Sequence, residues 1–442
     1  MAGRPSKSRV LDVWMNGELV GEWQLRGNDH QFAYAEAWLS SASTRPLSLS
    51  LPLTQGATPF AGDIVENYFD NLLPDSLDIR KRVATRFGAS STKAFDLIEK
   101  IGRDCVGAVQ LMAHGASPVD VRNIRAQPLS EAAIEQLLND TVAAQTLGSD
   151  DEDDALRISL AGAQEKTALL LHEGQWCRPL GATPTTHILK LPLGQVGRAR
   201  ADFSSSVENE WLCSRLALAF GLPAAESHIE QFGASKVLVV ERFDRKFLGT
   251  WWARLPQEDF CQVAGIGSGL KYENQGGPGM AAILGKLRGS ARAASDRETF
   301  LASQLFFWLL AAPDGHAKNF SIFLEQGGAY RLTPLYDVLS AWPAIGDGPN
   351  MFQWQKVTMA MAVRAGNAHY KMGEISRRHW NAAAKSNAVG ADFEPTIERF
   401  IGRAQQAIAE VAAQLPDNFP AHVSDSIFEG VLRQVSALQR QA

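Results

Sequence analysis

"AAPDGHAKNFSIFLEQGGAYRLTPLYD", residues 311–337, decides the fold. An apolar, helix-like run ends here, and Asp314, Gly315, His316, Lys318 and Asn319 follow in close order. Pro, Gly and Asn are turn formers, so a surface turn is the plainest reading of these letters alone. The residues that follow change it. "FSIFLE" and "YRLTPLYD" read as two strands joined by "QGG". With the turn centred between Gly327 and Gly328, antiparallel pairing sets Asn319 opposite Tyr336 and brings Asp337 alongside. One hairpin then gathers Asp314, Asn319 and Asp337 at one end. That set suits phosphoryl transfer: Asp314 takes or orients the acceptor's proton, while Asn319 and Asp337 offer oxygen ligands to magnesium. Protein kinases use an Asp, an Asn five residues later and a further Asp beyond a hairpin. Here Tyr336-Asp337-Val338 fills the last position.

Working outward, Lys190 interrupts the apolar strand "HILKLP". An unpaired ammonium there is costly to bury, so it needs a partner or must snorkel out. In the helix "SSSVENEWLCSRLALAFG", Glu210 shares a face with Val207, Cys213, Ser214 and Ala217. We expect Glu210 to point inward and position Lys190 against nucleotide phosphate. "SLAGAQEK" supplies a tight turn, Ala161-Gly162-Ala163, whose small residues let backbone N–H groups approach anionic oxygens. Phosphate turn, lysine strand, acidic helix and Asp/Asn loop thus fall in kinase order. Arg103-Asp104 is a decoy, because Val109 stands five residues on and cannot bind metal. His316 has no second His or Cys nearby for a zinc site.

The whole chain is consistent with this. Its 442 residues, 45% apolar and 21% charged, describe a globular protein of two or three domains. A net charge of −5 disfavours gripping DNA directly as the main task. The four cysteines, Cys105, Cys177, Cys213 and Cys261, form no C-x-x-C pair and suit a reducing cytoplasm. The longest greasy run, near 300–312, is too short for a bilayer, so no membrane association is expected.

Elsewhere, Asn16-Gly17 predicts a type I′ hairpin. "RPLSLSLPL" alternates Leu47, Leu49, Leu51 and Leu53 with polar residues and reads as a half-buried strand. Residues 63–86 read as helical with a break at Pro74, and "SSTKAFDLIEKIG" as a second helix. The acidic run "GSDDEDD" reads as a solvated loop. "ALRISLAGAQEKTALLL" reads as two extended runs. From Pro256 onward the pattern is mainly helical. Expected domains are 1–115 (β with helices), 150–255 (ATP-binding) and 256–442 (mainly helical, catalytic).

"RISLAGAQEKTAL", "PTTHILKLP", "VERFD", "LPQEDFCQ", "KYENQGGPG", "DGHAKNFS" and "YRLTPLYDV" together resemble the HipA family, the kinase toxins of HipA–HipB toxin–antitoxin systems. "RPLSLSLPL", "FDNLLPDS" and "IGRDCVGAV" extend the likeness to the N-terminal region. The resemblance implies an α+β, bilobal kinase-like fold related to the phosphatidylinositol kinases, with a β-rich N-terminal lobe and a mainly helical C-terminal lobe. It implies a Mg-ATP-dependent serine/threonine protein kinase that phosphorylates a component of translation, causing growth arrest and persistence. Asp314 would be the catalytic base, and Asn319 and Asp337 the metal (Mg2+) ligands. Lys190 and the loop Ala161, Gly162, Ala163, Gln164, Glu165 and Lys166 would hold ATP phosphates. Glu241, Arg242 and Phe243 would line the adenine hinge. His316, Ala317, Lys318, Asn319 and Tyr336 would add nucleotide contacts. Ser159 aligns with an autophosphorylation site whose added charge would expel the phosphate loop. The implied partner is a HipB-like DNA-binding antitoxin, with DNA reached mainly through it. Arg377, Arg378 and Lys385 make a thin basic surface for direct DNA contact. Pro313 stands before Asp314 where the family is expected to carry Thr. The residue pattern alone leaves two alternatives open: a small-molecule or lipid kinase of the same fold, and a non-catalytic corepressor module.

Overall fold

A computed structural model describes residues 8–53, 58–116, 120–142, 158–162, 164–197 and 200–441. Ala163 and the acidic run at 148–154 lie outside the described residues.

The Asn16-Gly17 hairpin forms as expected. Both residues take positive φ, 48° and 86°, and Met15 pairs with Glu18. The turn does not end in solvent. Asn16 donates from Nδ2 to the Arg254 carbonyl (2.8 Å) and accepts from the Arg254 N–H (2.9 Å). The strands Arg9–Met15 and Glu18–Arg26 lie inside a five-stranded antiparallel sheet completed by Asp29–Tyr34, Phe60–Ala61 and Val109–Ala113. Helices Asp63–Asp70 and Leu77–Phe87 break at Pro74, and Ser76 caps the second. With Ala94–Ile101 they cover one hydrophobic core around Trp23, Phe69 and Phe95.

A second, six-stranded antiparallel sheet runs in the order Ser227–Phe232, Ser235–Glu241, His187–Lys190, Lys166–His172, Gln175–Pro179, Ala126–Pro128. Helix Glu131–Val142 packs on it through Ile134, Leu137 and Leu138, and helix Ser206–Ala219 also packs against its strands. The largest core joins Ser206–Ala219 to helices Ala293–Leu309, Glu394–Ala412 and Ala421–Gln439. No helix among the described residues is long and apolar enough to cross a membrane.

Four local expectations are corrected. "RPLSLSLPL" is a tight turn with a single Ser48–Leu51 bridge, not a strand. Leu47 and Leu51 are buried, but so is Ser48, because Ser48 Oγ and the Leu49 N–H donate to the buried Glu258 carboxylate at 2.5 and 2.8 Å. Among its described residues, "ALRISLAGAQEKTALLL" yields one strand, Lys166–His172, since Ile158 makes only an isolated bridge to Asp104. The hairpin after Asn319 is slipped by one residue: Leu324 pairs with Tyr330, and the ladder stops at Leu332, ahead of Pro334. The Gly327-Gly328 turn is a one-turn 3-10 helix, which absorbs the extra residue. The region after Pro256 also carries more β structure than expected. Beyond the expected strands Ser321–Leu324 and Tyr330–Leu332, it contains Gln257–Asp259, which completes a three-stranded sheet with them, and a hairpin, Thr358–Ala365 with Asn367–Lys371.

Candidate active site

Lys190 has the partner its burial demands. Its ammonium lies 2.5 Å from Glu210 Oε1 and 2.9 Å from Asp337 Oδ1. Helix Ser206–Ala219 turns Glu210 inward with Val207, Cys213 and Ala217, all buried. Burial alone would pull the Lys190 pKa down, but Asp337 and Glu210 raise it above the ordinary value. Lys166 stands directly opposite Lys190 on the neighbouring strand. Two like charges in register repel. Burial pulls the Lys166 pKa down, Lys190 adds to the fall, and Asp337 opposes it. Burial would raise Asp337, yet Lys190 and Lys166 hold its carboxyl well below the usual range. Burial pushes Glu210 up. Asp337 keeps this place in a left-handed conformation, φ 60°, which costs an ordinary residue roughly 1 kcal/mol.

The Asp314 loop follows the helix Ala293–Leu309 after a left-handed Ala311, φ 47°. Gly315 packs flat on Phe307, where a Cβ would come within 2.2 Å of the ring. Asn319 Nδ2 donates to the Asp314 carbonyl at 2.6 Å and closes the loop, so the two residues sit together as their spacing predicts. Asp314 is about half exposed, 53% for its side chain. Its Oδ1 accepts from the Tyr272 hydroxyl and lies 3.6 Å from His316 Nε2. His316 is buried, its pKa is lowered chiefly by that burial, and its Nδ1 has no partner among the described residues. Ala317 is buried behind the loop. Lys318 lines the cleft while its ammonium is held from behind. Its ammonium reaches Asp259 Oδ2 (2.9 Å) and both the carbonyl and Oδ1 of Asn71 (3.0 and 2.8 Å), tying the loop to the N-terminal part. Tyr336 also braces it, donating to the Lys318 carbonyl at 2.8 Å.

The small-residue turn sits above the two lysines. Gly162 takes φ 108°, and a Cβ there would stand 2.6 Å from Lys166 Nζ, so the backbone approaches the lysine as only glycine permits. The turn is docked on the N-terminal part: Gly162 bridges to Pro74, and the Asp75 N–H donates to the Gly162 carbonyl at 2.9 Å. Ser159, just upstream, is buried and donates to the Leu72 carbonyl at 2.7 Å. Gln164 lines the cleft and donates to the Leu191 carbonyl at 2.6 Å. Glu165 does not face the cleft, because its carboxylate pairs with Arg82.

At the expected hinge, Glu241, Arg242 and Phe243 all line the cleft, and the Phe243 ring lies 5.7 Å from that of Tyr336. The Arg242 side chain instead turns to Asp244 (2.8 Å), Asp104 (3.4 Å) and the Cys105 carbonyl (2.9 Å). Asp104, read in the sequence as a decoy, is the buried counter-ion of Arg242, Arg245 and Arg254. Burial would raise its pKa, but these three cations hold it far below the usual range. Arg377 is likewise occupied, by Glu394 and Glu398, so it adds nothing to a basic surface.

These residues line one cleft, with Gly162, Lys166, Lys190, Asp314, Asn319 and Asp337 around it and apolar walls from Ile188, Val240 and Phe243. Facing cations, a glycine cradle and a buried imidazole whose Nδ1 has no partner among the described residues fit a nucleotide polyphosphate. The Asn319 amide and the Asp337 carboxylate offer the oxygen donors magnesium takes. Asn71, Asp75, Asp259, Lys271 and Tyr272 were missed in the sequence. The charged residues inside the apolar segment "LPQEDFCQ" were the one available signal for Asp259.

The HipA-like C-terminal domain family matches residues 158–419, and the HipA N-terminal domain family matches residues 11–112. A putative kinase, Y4mE, of Sinorhizobium fredii is 36% identical over 415 residues, covering 92% of each chain. The serine/threonine-protein kinase toxin HipA of Shewanella oneidensis is 27% identical, over 93% of this chain and 91% of that one. A solved structure of the Shewanella oneidensis HipA, HipB and operator DNA complex superposes with a TM-score of 0.78 at 23% identity, covering 97% of both chains.

Proposed function

The chain belongs to the HipA family, and from that premise we propose that it is a Mg-ATP-dependent serine/threonine protein kinase. In this reading it is the toxin of a toxin–antitoxin pair, with a bilobal fold related to the phosphatidylinositol kinases. The observation that carries the reading is the meeting of Lys190 with Glu210 and Asp337 in the cleft that also holds Asp314 and Asn319.

The apolar walls at Ile188, Val240 and Phe243 receive the adenine ring. Lys190 and Lys166 face the phosphates, and Glu210 fixes the Lys190 ammonium. Asn319 and Asp337 would hold magnesium, which supplies positive charge against the phosphate oxygens. Asp314 accepts the proton of the incoming serine hydroxyl on a half-exposed carboxylate. The proposed acceptor is a protein of the translation apparatus. The proposed partner is a DNA-binding antitoxin of the HipB type, for which the named complex is the precedent, with the kinase as corepressor. Four buried cysteines with no disulfide fit a reducing cytoplasm.

Ser159 is the proposed autophosphorylation site. Its hydroxyl is buried against Leu72, so a phosphate there has no room. Adding it requires the segment 158–162 to leave Leu72 and Pro74, which withdraws the Gly162 cradle from the cleft.

The test is the purified chain with Mg and γ-labelled ATP, alone and with a bacterial lysate, followed by mass spectrometry. Label on protein serine, lost in Asp314→Asn and in Lys190→Ala, is expected. Label confined to small metabolites, or equal label in Asp314→Asn, would overturn the reading.

A further inference from the structure

Tyr272 lies outside every role assigned so far. It sits in the segment 265–279, which carries no regular helix or strand beyond two one-turn 3-10 helices, Ser268–Leu270 and Glu273–Gln275. Such a segment would ordinarily be loose, yet this one is fastened on both sides. On the N-terminal side, Asn67 Nδ2 donates to the Gly265 carbonyl at 2.9 Å and Asn71 Nδ2 to the Ile266 carbonyl at 2.8 Å. Lys271 pairs with Asp75 at 2.8 Å. On the opposite side, Glu273 accepts from the Ala362 N–H at 2.7 Å and pairs with Arg364. The Ala317 N–H donates to the Lys271 carbonyl at 3.2 Å, joining the segment to the Asp314 loop itself.

Tyr272 sits between the Lys271 and Glu273 anchors. Its ring meets the His316 ring edge-on at 5.0 Å, and its hydroxyl donates to Asp314 Oδ1. The fastened neighbours fix where that hydroxyl stands. Both contacts on the Asp314 carboxylate, from Tyr272 and from His316, fall on Oδ1. The side chain still remains about half exposed, and neither contact occupies its other oxygen.

We propose that Tyr272 is a positioning residue for phosphoryl transfer: its hydroxyl holds one oxygen of Asp314 so that the other faces the incoming hydroxyl. A carboxylate on a loop can rotate about its own side-chain torsions. One charge-assisted hydrogen bond from a fixed donor removes that freedom before substrate arrives. Ground-state nucleotide binding does not use this bond, so the effect falls on turnover. This inference rests on the phosphotransfer reading of the cleft.

The test compares the full-length wild type with Tyr272→Phe, which keeps the ring against His316 and removes only the hydroxyl. Initial rates of phosphate transfer to a protein acceptor, the KM for ATP and the melting temperature are measured for both. The expected result is a kcat lower by about 10- to 100-fold, the size of a misplaced catalytic group. The KM for ATP stays within about twofold, the ratio that marks loss of a turnover-only interaction. A kcat equal to wild type overturns the proposal. So does a loss of kcat matched by weaker ATP binding and a lower melting temperature, which marks a merely structural tyrosine. A wild type that transfers no phosphate overturns both this proposal and the reading beneath it, and is separated from the first failure by the wild-type rate itself.

Discussion

The backbone N–H of Asp75 donates to the carbonyl of Gly162 across 2.9 Å, so a bend between two helices of the N-terminal part holds the turn at Gly162. The same residue's carboxylate holds Lys271 at 2.8 Å and lies 3.9 Å from Lys318. The N-terminal part is therefore a wall of the active cleft.

Asp75→Ala keeps the backbone bond but releases Lys271. Losing one charge-assisted hydrogen bond is worth about 1.5 kcal/mol, or roughly tenfold in an equilibrium. The KM for ATP is expected to rise by about that factor with a smaller change in melting temperature. Steady-state kinetics at varied ATP checks it, and an unchanged KM would show that the N-terminal wall is passive.

Gly162→Ala places a methyl group at φ 108°, which L-residues avoid, and pushes it against the Lys166 ammonium. ATP affinity is expected to fall roughly tenfold by calorimetry, for about 1.4 kcal/mol of strain and displaced charge. The stability of the rest of the fold should change little.

Asp104→Asn leaves Arg242, Arg245 and Arg254 without the one carboxylate they share. Asp244 still serves Arg242 and Arg245, but Arg254 keeps only the Ala182 carbonyl and other neutral contacts. Breaking a buried pair by removing one partner costs about 3–5 kcal/mol. Urea unfolding should show a loss of that order, and a change below about 1 kcal/mol would mean that the three guanidinium groups find other acceptors.

Glu258 supplies the pH dependence. Burial pushes its carboxyl up from an ordinary 4.5 to about 8, against the hydrogen bonds from Ser48 and Leu49. Its pKa is higher in the folded chain than in the unfolded one, so folding takes up a proton between those values. The stability this gives is complete below about pH 4.5 and is lost as pH climbs through 8. The melting temperature of the wild type should fall across that window. Glu258→Gln should flatten the fall and be the more stable of the two at pH 8.5, as paired thermal melts will show.

Legibility in the sequence followed the range of the interaction. The Asn16-Gly17 hairpin and the break at Pro74 are local backbone preferences, and both were readable. Lys190 and Glu210 were readable because an isolated charge among apolar neighbours demands a partner and helical spacing supplies one. The register after Asn319 failed by one residue, since the Gly327-Gly328 turn absorbed a position that pairing arithmetic cannot see. "RPLSLSLPL" failed because its period-two pattern was made by Ser48 reaching a buried Glu258 far along the chain, and nothing local announces that. Asp104 looked like a turn residue because the three arginines that give it meaning lie far downstream.

One consequence concerns how such a chain can be rearranged. Asp104 belongs to the N-terminal part, while the cations it neutralises, Arg242, Arg245 and Arg254, belong to the part that carries Lys190 and Asp337. The two parts share a charge account, so neither is a detachable cassette. A shortened gene starting after residue 115 would encode the cleft with Arg242, Arg245 and Arg254 short of one carboxylate at its back. A chimera that borrows the first hundred residues from a cousin will fold only where the donor brings an anion to the same spot.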